Sequence, residues 1–279
     1  MPFLHEIISS WSSALLIYER QEAESLIGWL FEHHVGLGRS ALYQQVDENT
    51  LPTGLYQDFE RLKTGEPIQY IMGKGPFYGR EFKVSPATLI PRNETEELVH
   101  LIIKENIKSG LRIMDIGTGT GCIPISLALE MNSPVVFGVD VSLEALAIAN
   151  QNAGALGAKV SFSKCDILSE IPAEDELDIL VSNPPYIPHK EKAEMHKNVL
   201  DYEPELALFV SDEDPLVFYR EIAVKGRRLL KSGGCLYFEI NEKYGAEVAE
   251  LMRKLGYSEV SVLKDLNGKD RIALGKTLN

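Results

Sequence analysis

Ile113-Met114-Asp115-Ile116-Gly117-Thr118-Gly119-Thr120-Gly121 reads as an apolar strand running into a glycine loop, and Cys122 to Glu130 reads as the helix that follows. Glycines at such a junction let the backbone turn sharply and approach a ligand closely. A dinucleotide fingerprint requires G-x-G-x-x-G; counted from Gly117, its last position is Cys122, so that pattern fails. The spacing is G-x-G-x-G, preceded by an acid at Asp115. This pattern is typical of sites for S-adenosylmethionine, which has no pyrophosphate to seat on a helix N-terminus. Plain strand-to-helix turns also use glycine, so the neighbouring strands must carry part of the argument.

Outward from this loop, strands and helices alternate from about residue 91 to the end. That alternation predicts an α/β domain with a doubly wound, Rossmann-like parallel sheet. Residues 112–116, 135–140, 159–163, 177–182 and 235–240 read as strands, with helices expected over 94–107 and 215–230, the latter closing at Gly233-Gly234. Val260 to Leu263 and Arg271 to Leu274, joined across Asn267-Gly268, read as an antiparallel hairpin closing the sheet.

The carboxyl ends of the strands are where such sheets bind ligands. The second ends at Asp140, where a carboxylate can accept both ribose hydroxyls; helix capping explains this acid less well, because Ser142 already serves as the cap. The third ends near Cys165-Asp166-Ile167, where Asp166 could accept the adenine amino hydrogens and Ile167 could cover the ring. An ordinary loop aspartate accounts for Asp166 nearly as well. The fourth runs through Leu177-Asp178-Ile179-Leu180-Val181 into Asn183-Pro184-Pro185-Tyr186. Pro-Pro after a strand can be only a turn. However, the Asn183 side-chain oxygen and the Pro184 carbonyl are two fixed acceptors able to hold both hydrogens of one NH2 group, and the Tyr186 ring offers it a face. The combination predicts methylation of nitrogen in a planar, weakly nucleophilic group, with Asn183, Pro184 and Tyr186 as catalytic residues.

The 279 residues are 44% hydrophobic and 25% charged, with a net charge of −13. This is the composition of a folded globular chain, and the acidity argues against avid, nonspecific binding of nucleic acid. Cys122, Cys165 and Cys235 are widely spaced, so neither a disulfide framework nor a metal site is expected. The first residues lack the pattern of a signal peptide and no run reaches the length of a membrane span, so a cytoplasmic location is expected.

Upstream, Leu4, Ile7, Ile8, Trp11 and Leu15 share a helical stripe, as do Ala23, Leu26, Ile27, Leu30 and Phe31, and then Leu55, Phe59 and Leu62. These predict a small helical bundle over residues 1–74, to which no chemistry is assigned. The His33-His34 pair is expected to be exposed. Ile68-Gln69-Tyr70-Ile71 and Phe77 to Phe82 read as short β-type runs, and residues 75–90 as a hairpin linker to a domain spanning 91–279.

The residues now quoted, with further segments, carry a resemblance. Gly65 to Ile71, Phe77-Tyr78-Gly79, Leu89-Ile90-Pro91-Arg92 with Glu94-Thr95-Glu96, Asp115 to Gly121, Ser182 to Ile187, Tyr202-Glu203-Pro204 with Ala207-Leu208, and Asp270-Arg271 resemble the HemK/PrmC family. These are protein-(glutamine-N5) methyltransferases acting on peptide chain release factors. The resemblance implies a class I methyltransferase fold and, as substrate, the glutamine of the Gly-Gly-Gln loop of class-1 release factors. It implies that Gly117, Thr118, Gly119, Thr120, Gly121, Asp140 and Asn183 bind S-adenosylmethionine, while Asn183, Pro184, Pro185 and Tyr186 hold the glutamine. The helical domain would then recognise the release factor. Asn93 stands where the family usually has proline, Asn241 where glycine commonly follows the Glu-Ile of the fifth strand, and Ile167 where many members have an aromatic. Asn-Pro-Pro-Tyr is shared with DNA adenine methyltransferases, which leaves two alternatives: an enzyme acting on adenine in DNA or RNA, or a non-catalytic cofactor-binding module that docks on release factors.

Overall fold

The computed structural model describes residues 1–278, which divide into two compact units. The first comprises Met1–Gly73 and His196–Tyr202. It contains helices α1 (Leu4–Ser12), α2 (Arg20–Val35), α3 (Thr53–Lys63) and α4 (Ile68–Met72). The three stripes meet in one core that buries Leu4, Ile7, Ile27, Leu30, Phe31, Leu55 and Leu62, while Trp11 and Phe59 pack at its margin with ring centroids 4.6 Å apart. Two expectations are corrected here. Residues 68–71 form a helical turn, because Pro67 leads into it and Gly73, at φ +70°, ends it in the left-handed conformation that glycine accepts. His34 is half-buried and bonded through Nε2 to Asp58 at 2.8 Å, whereas His33 is exposed.

The second unit comprises Lys74–Met195 and the chain from Glu203 onward. It opens with a hairpin, β1 (Lys74–Phe77) and β2 (Arg80–Lys83), followed by α5 (Asn93–Glu105), β3 (Arg112–Ile116), α6 (Cys122–Glu130), β4 (Val135–Asp140), α7 (Leu143–Leu156), β5 (Val160–Lys164) and β6 (Leu177–Ser182). A short strand β7 (Ile187–Pro188) comes next. The helix α8 (Lys197–Tyr202) belongs to the first unit; α9 (Glu205–Leu208) and β8 (Phe209–Val210) return to the second. The chain ends with α10 (Val217–Leu229), β9 (Leu230–Glu239), α11 (Gly245–Lys254), β10 (Tyr257–Lys264) and β11 (Asp270–Thr277).

Among the described residues the main sheet has the order β10-β11-β9-β6-β3-β4-β5, parallel from β5 to β9 and antiparallel at both of β11's edges. Its central strands are apolar on consecutive residues because helices cover both faces. Met114, Ile116, Leu180, Leu236 and Phe238 pack against Tyr219, Ile222, Val248 and Met252 of α10 and α11. Ile113, Ile179, Val181 and Tyr237 face the other way, onto Leu98, Val99 and Ile102 of α5, Ile123 and Leu127 of α6, and Phe77 and Phe82 of the hairpin.

The fifth strand starts earlier than expected. Gly233-Gly234 does not close a helix but lies within β9, as a bulge between the pairs Leu177–Leu230 and Ile179–Cys235. Gly233 at φ +75° supplies the bend.

The approach of β4 to its neighbours requires glycine at 138. A Cβ there would stand 2.7 Å from the Phe162 ring and 3.0 Å from the Thr118 hydroxyl. Gly138→Ala is expected to lower stability by about 1–3 kcal/mol through overpacking, measured as a fall in the urea midpoint with an unchanged slope.

Candidate active site

The strand order turns at β3: the chain proceeds outward through β4 and β5, then crosses back to β6 on the other side of β3. The segments leaving β3 and β6 therefore diverge, and a cavity of about 330 Å³ opens at their carboxyl ends.

One wall is the glycine loop. The N–H groups of Gly117 and Thr118 both donate to the Val139 carbonyl, at 2.9 and 3.0 Å, which ties the loop to the end of β4. Gly117 and Gly119 have φ of +74° and +53°, and a Cβ on either would meet no protein atom within 4 Å; both line the cavity, with Thr118 and Thr120. Gly121 does not line it. At φ +78° it caps α6, with Ile125, Ala149 and Phe162 close around it. Behind the loop, the buried Asn152 amide donates to the carbonyls of Thr120 (2.9 Å) and Lys83 (3.0 Å) and accepts from Lys83 N–H (2.7 Å), joining β2, α7 and the loop. Nothing in its sequence neighbourhood singles Asn152 out.

Asp140 lines the next part of the wall. Its Oδ2 accepts from Gly119 N–H at 2.8 Å and its Oδ1 from Ser142 N–H at 2.9 Å. The carboxylate is thereby held fixed, with one further lone pair on each oxygen. Burial pushes its pKa up, and these backbone donors restrain the shift. Asp166 and Ile167 line the cavity as well. The Asp166 carboxylate accepts from Leu168 N–H (3.0 Å) and the Ser169 hydroxyl (2.8 Å), so it also organises its own turn. Lys225 donates to the Ile167 carbonyl and fixes that end of the loop.

Asn183, Pro184 and Pro185 complete the cavity, and Tyr186 does not line it. The Asn183 Nδ2 donates to the Thr95 hydroxyl at 3.2 Å. Among the described residues, no group donates to Asn183 Oδ1 or to the Pro184 carbonyl, so both acceptors are open. The Tyr186 ring packs at the edge of the core, and its hydroxyl donates to Glu239 Oε1 at 3.2 Å. Asn241, the departure after β9, donates through Nδ2 to the Tyr186 carbonyl at 3.3 Å and so adds a tether to this turn. Asn93 is the first residue of α5, a position where proline also fits.

Two further segments, Ala87 to Leu89 and Pro204 with Leu206 and Ala207, also line the cavity. Glu203, with its side chain buried, holds the two together by accepting from Arg92 and from Ile90 N–H at 3.3 Å.

Among the described residues, the lining carries the carboxylates Asp140, Glu144 and Asp166 and no lysine, arginine or histidine. Beneath the loop, both oxygens of the fully buried Asp115 lack a hydrogen-bond partner. Burial pushes the Asp115 pKa to about 7; the Thr118 hydroxyl, close by but outside hydrogen-bond geometry, opposes the shift and the Asp140 charge adds to it. A cationic sulfonium nucleoside fits these surroundings, and an anionic diphosphate does not. Among the described residues no cluster of side chains could hold a metal ion.

Comparison with known proteins agrees with this chemistry. A family model described as a methyltransferase domain matches residues 107–264. A release factor glutamine methyltransferase of Bacteroides thetaiotaomicron is 54% identical over 76% of each chain. Those of Streptococcus pneumoniae, 40% identical over 93% of each chain, and Bacillus subtilis, 42% identical over 94% of this chain and 93% of that one, extend the match through the N-terminal region. Among solved structures, a methyltransferase from Pyrococcus furiosus shares the fold, with a TM-score of 0.54 over 73% of this chain and 91% of that one at 20% identity.

The orphaned Asp115 has a measurable consequence. Its pKa is about 7 in the folded protein against 3.8 in the unfolded chain, so the folded state holds the extra proton between those values. Its contribution is most favourable below pH 4 and is lost as the pH rises towards 7 and above. Asp115→Asn, measured without cofactor by denaturant titration, is expected to gain on the unmutated protein by on the order of 3 kcal/mol between pH 4 and pH 8.

Proposed function

The chain belongs to the family of release factor glutamine methyltransferases, and from that premise we propose how its own residues perform the reaction. It transfers a methyl group from S-adenosylmethionine to the side-chain amide nitrogen of a release factor glutamine. When bound, S-adenosylmethionine supplies an electrophilic methyl on a sulfonium. Asp140 would hold the ribose hydroxyls on its remaining lone pairs, and the backbone of Gly117 to Thr120 would lie against the donor where side chains would intrude. Asp166 and Ile167 would border the adenine. The acidic, cation-free lining favours a positively charged ligand over a phosphorylated one.

The acceptor nitrogen is the harder problem, because its lone pair is delocalised into the amide. The Asn183 Oδ1 and the Pro184 carbonyl receive its two hydrogens, orient it towards the methyl, and stabilise the positive charge that grows on it as the new bond forms. Neither group is a base, and the methylated nitrogen, made acidic by that charge, sheds its proton to water. Tyr186 supports the turn through its hydroxyl bond to Glu239. The observation that carries this reading is the pair of open acceptors at Asn183 and Pro184 in a cavity also lined by Gly117, Gly119 and Asp140.

The acceptor is inferred to be the glutamine of the Gly-Gly-Gln loop in class-1 release factors, with residues 1–74 binding the factor away from that loop. A single side chain offers too little surface for selection. The net charge of −13 supports a protein substrate over nucleic acid. Free Cys122, Cys165 and Cys235 fit a reducing cytoplasm, and among the described residues no helix is long and apolar enough to cross a membrane.

Incubation with labelled S-adenosylmethionine and either a release factor or DNA tests the reading. Mass spectrometry should place one methyl on the loop glutamine; label on DNA alone would overturn it. Asn183→Ala is expected to lower kcat by about 100-fold or more. Asp140→Ala should weaken cofactor binding by roughly 10- to 100-fold, as loss of a charge-assisted pair of hydrogen bonds does, and an unchanged calorimetric Kd would contradict the ribose assignment.

A further inference from the structure

We propose that Thr95 and Glu239 are positioning residues that decide which end of the Asn183 amide faces the substrate nitrogen. The proposal rests on the role given to Asn183 above. The two residues stand far apart in the chain, at the first turn of α5 and the last residue of β9. Both are buried.

The available hydrogens decide the direction of each bond. Ionised Glu239 can only accept. Its Oε1 accepts from the Tyr186 phenol at 3.2 Å, and its Oε2 accepts from the Thr95 hydroxyl at 2.6 Å. A hydroxyl has one hydrogen, and that of Thr95 is committed to the carboxylate. The Thr95 oxygen can therefore face only a donor, and at 3.2 Å it faces Asn183 Nδ2. The amide is fixed in one of its two orientations, with Oδ1 left for the substrate. The opposite orientation would set two lone pairs against each other at Thr95 and present N–H groups to a nitrogen that must itself donate.

The chain of bonds also acts on charge. A buried carboxylate polarises the hydroxyl, which polarises the amide, and Oδ1 becomes a stronger acceptor. Burial pushes the Glu239 pKa up and the Glu94 carboxylate on α5 adds to it; the Thr95 and Tyr186 hydroxyls and Arg271 on β11 oppose the shift and favour the ionised form. The relay is therefore a means of keeping an acceptor facing a positive charge that exists only in the transition state, which predicts an effect on turnover and not on binding.

Two variants at one position test it. Thr95→Val keeps the shape and removes the hydroxyl; Thr95→Ser keeps the hydroxyl. With a release factor as substrate and saturating S-adenosylmethionine, Thr95→Val should lower kcat by about 10- to 100-fold. The KM for the factor and the calorimetric Kd for the cofactor should stay within about twofold, and Thr95→Ser should recover kcat to within about threefold of the unmutated enzyme. Should valine prevent folding by stranding the Glu239 carboxylate, Thr95→Ala, which leaves room for a water there, is judged by the same criteria. The relay is overturned if the variant lacking the hydroxyl turns over within twofold of the unmutated enzyme. It is equally overturned if serine is as slow as valine, or if cofactor affinity falls in step with kcat. An unmutated enzyme that never methylates a release factor sinks the functional reading beneath; the relay itself stands or falls on the ratios between variants.

Discussion

The parallel pairing of β3 on both its edges is the constraint on which the rest of the second unit depends. Because β4 lies on one side and β6 on the other, the segments leaving β3 and β6 cannot follow the same path, and a crevice opens between them. The apolar residues of these strands are buried on both faces, so the crevice rests on a rigid floor. Ser182 reinforces it by donating from its buried hydroxyl to the Ile116 carbonyl at 2.7 Å, which locks the ends of the two strands together just where the glycine loop and the Asn183 turn begin. Placement of the reacting groups is thus a by-product of how the sheet is wound.

Electrostatics then selects what enters. A cavity lined by fixed carboxylates, above a buried acid that finds no partner in the protein, is an unfavourable place for anions and a favourable one for a sulfonium. The acceptors proposed for the substrate nitrogen, Asn183 Oδ1 and the Pro184 carbonyl, are neutral.

How much of this was legible in the sequence depended on how local each signal is. Asp115 to Gly121 and Asn183 to Pro185 announce themselves because each group of residues acts within one turn of chain, and the alternating apolar runs define the strands for the same reason. The helix at 68–72 was missed because Ile-Gln-Tyr-Ile is equally good as a strand, and only the flanking Pro67 and Gly73 decide otherwise. Gly233-Gly234 marks a bulge as readily as a helix end, and choosing between them requires knowing that Leu177 pairs with Leu230. Tyr186 belongs to the tetrapeptide by sequence, but its hydrogen bond to Glu239 joins residues 53 positions apart. The roles of Thr95, Asn152 and Glu239 were beyond reach, because each works through contacts with residues 32 or more positions away. Arg92 and Glu203 could be quoted as part of a family pattern, but their pairing needed coordinates.

The single hydrogen of the Thr95 hydroxyl also sets a spelling rule for position 183. Aspartate has nearly the same outline as asparagine and would present the same kind of oxygen to the substrate, so by shape alone the two letters look interchangeable. In this chain they are not. An aspartate would turn a second acceptor towards an oxygen whose hydrogen is already committed, beside a buried carboxylate that repels the new charge. A lineage carrying the acid at this position would have to rewrite Thr95 or Glu239 as well, so the three letters are free to change only together.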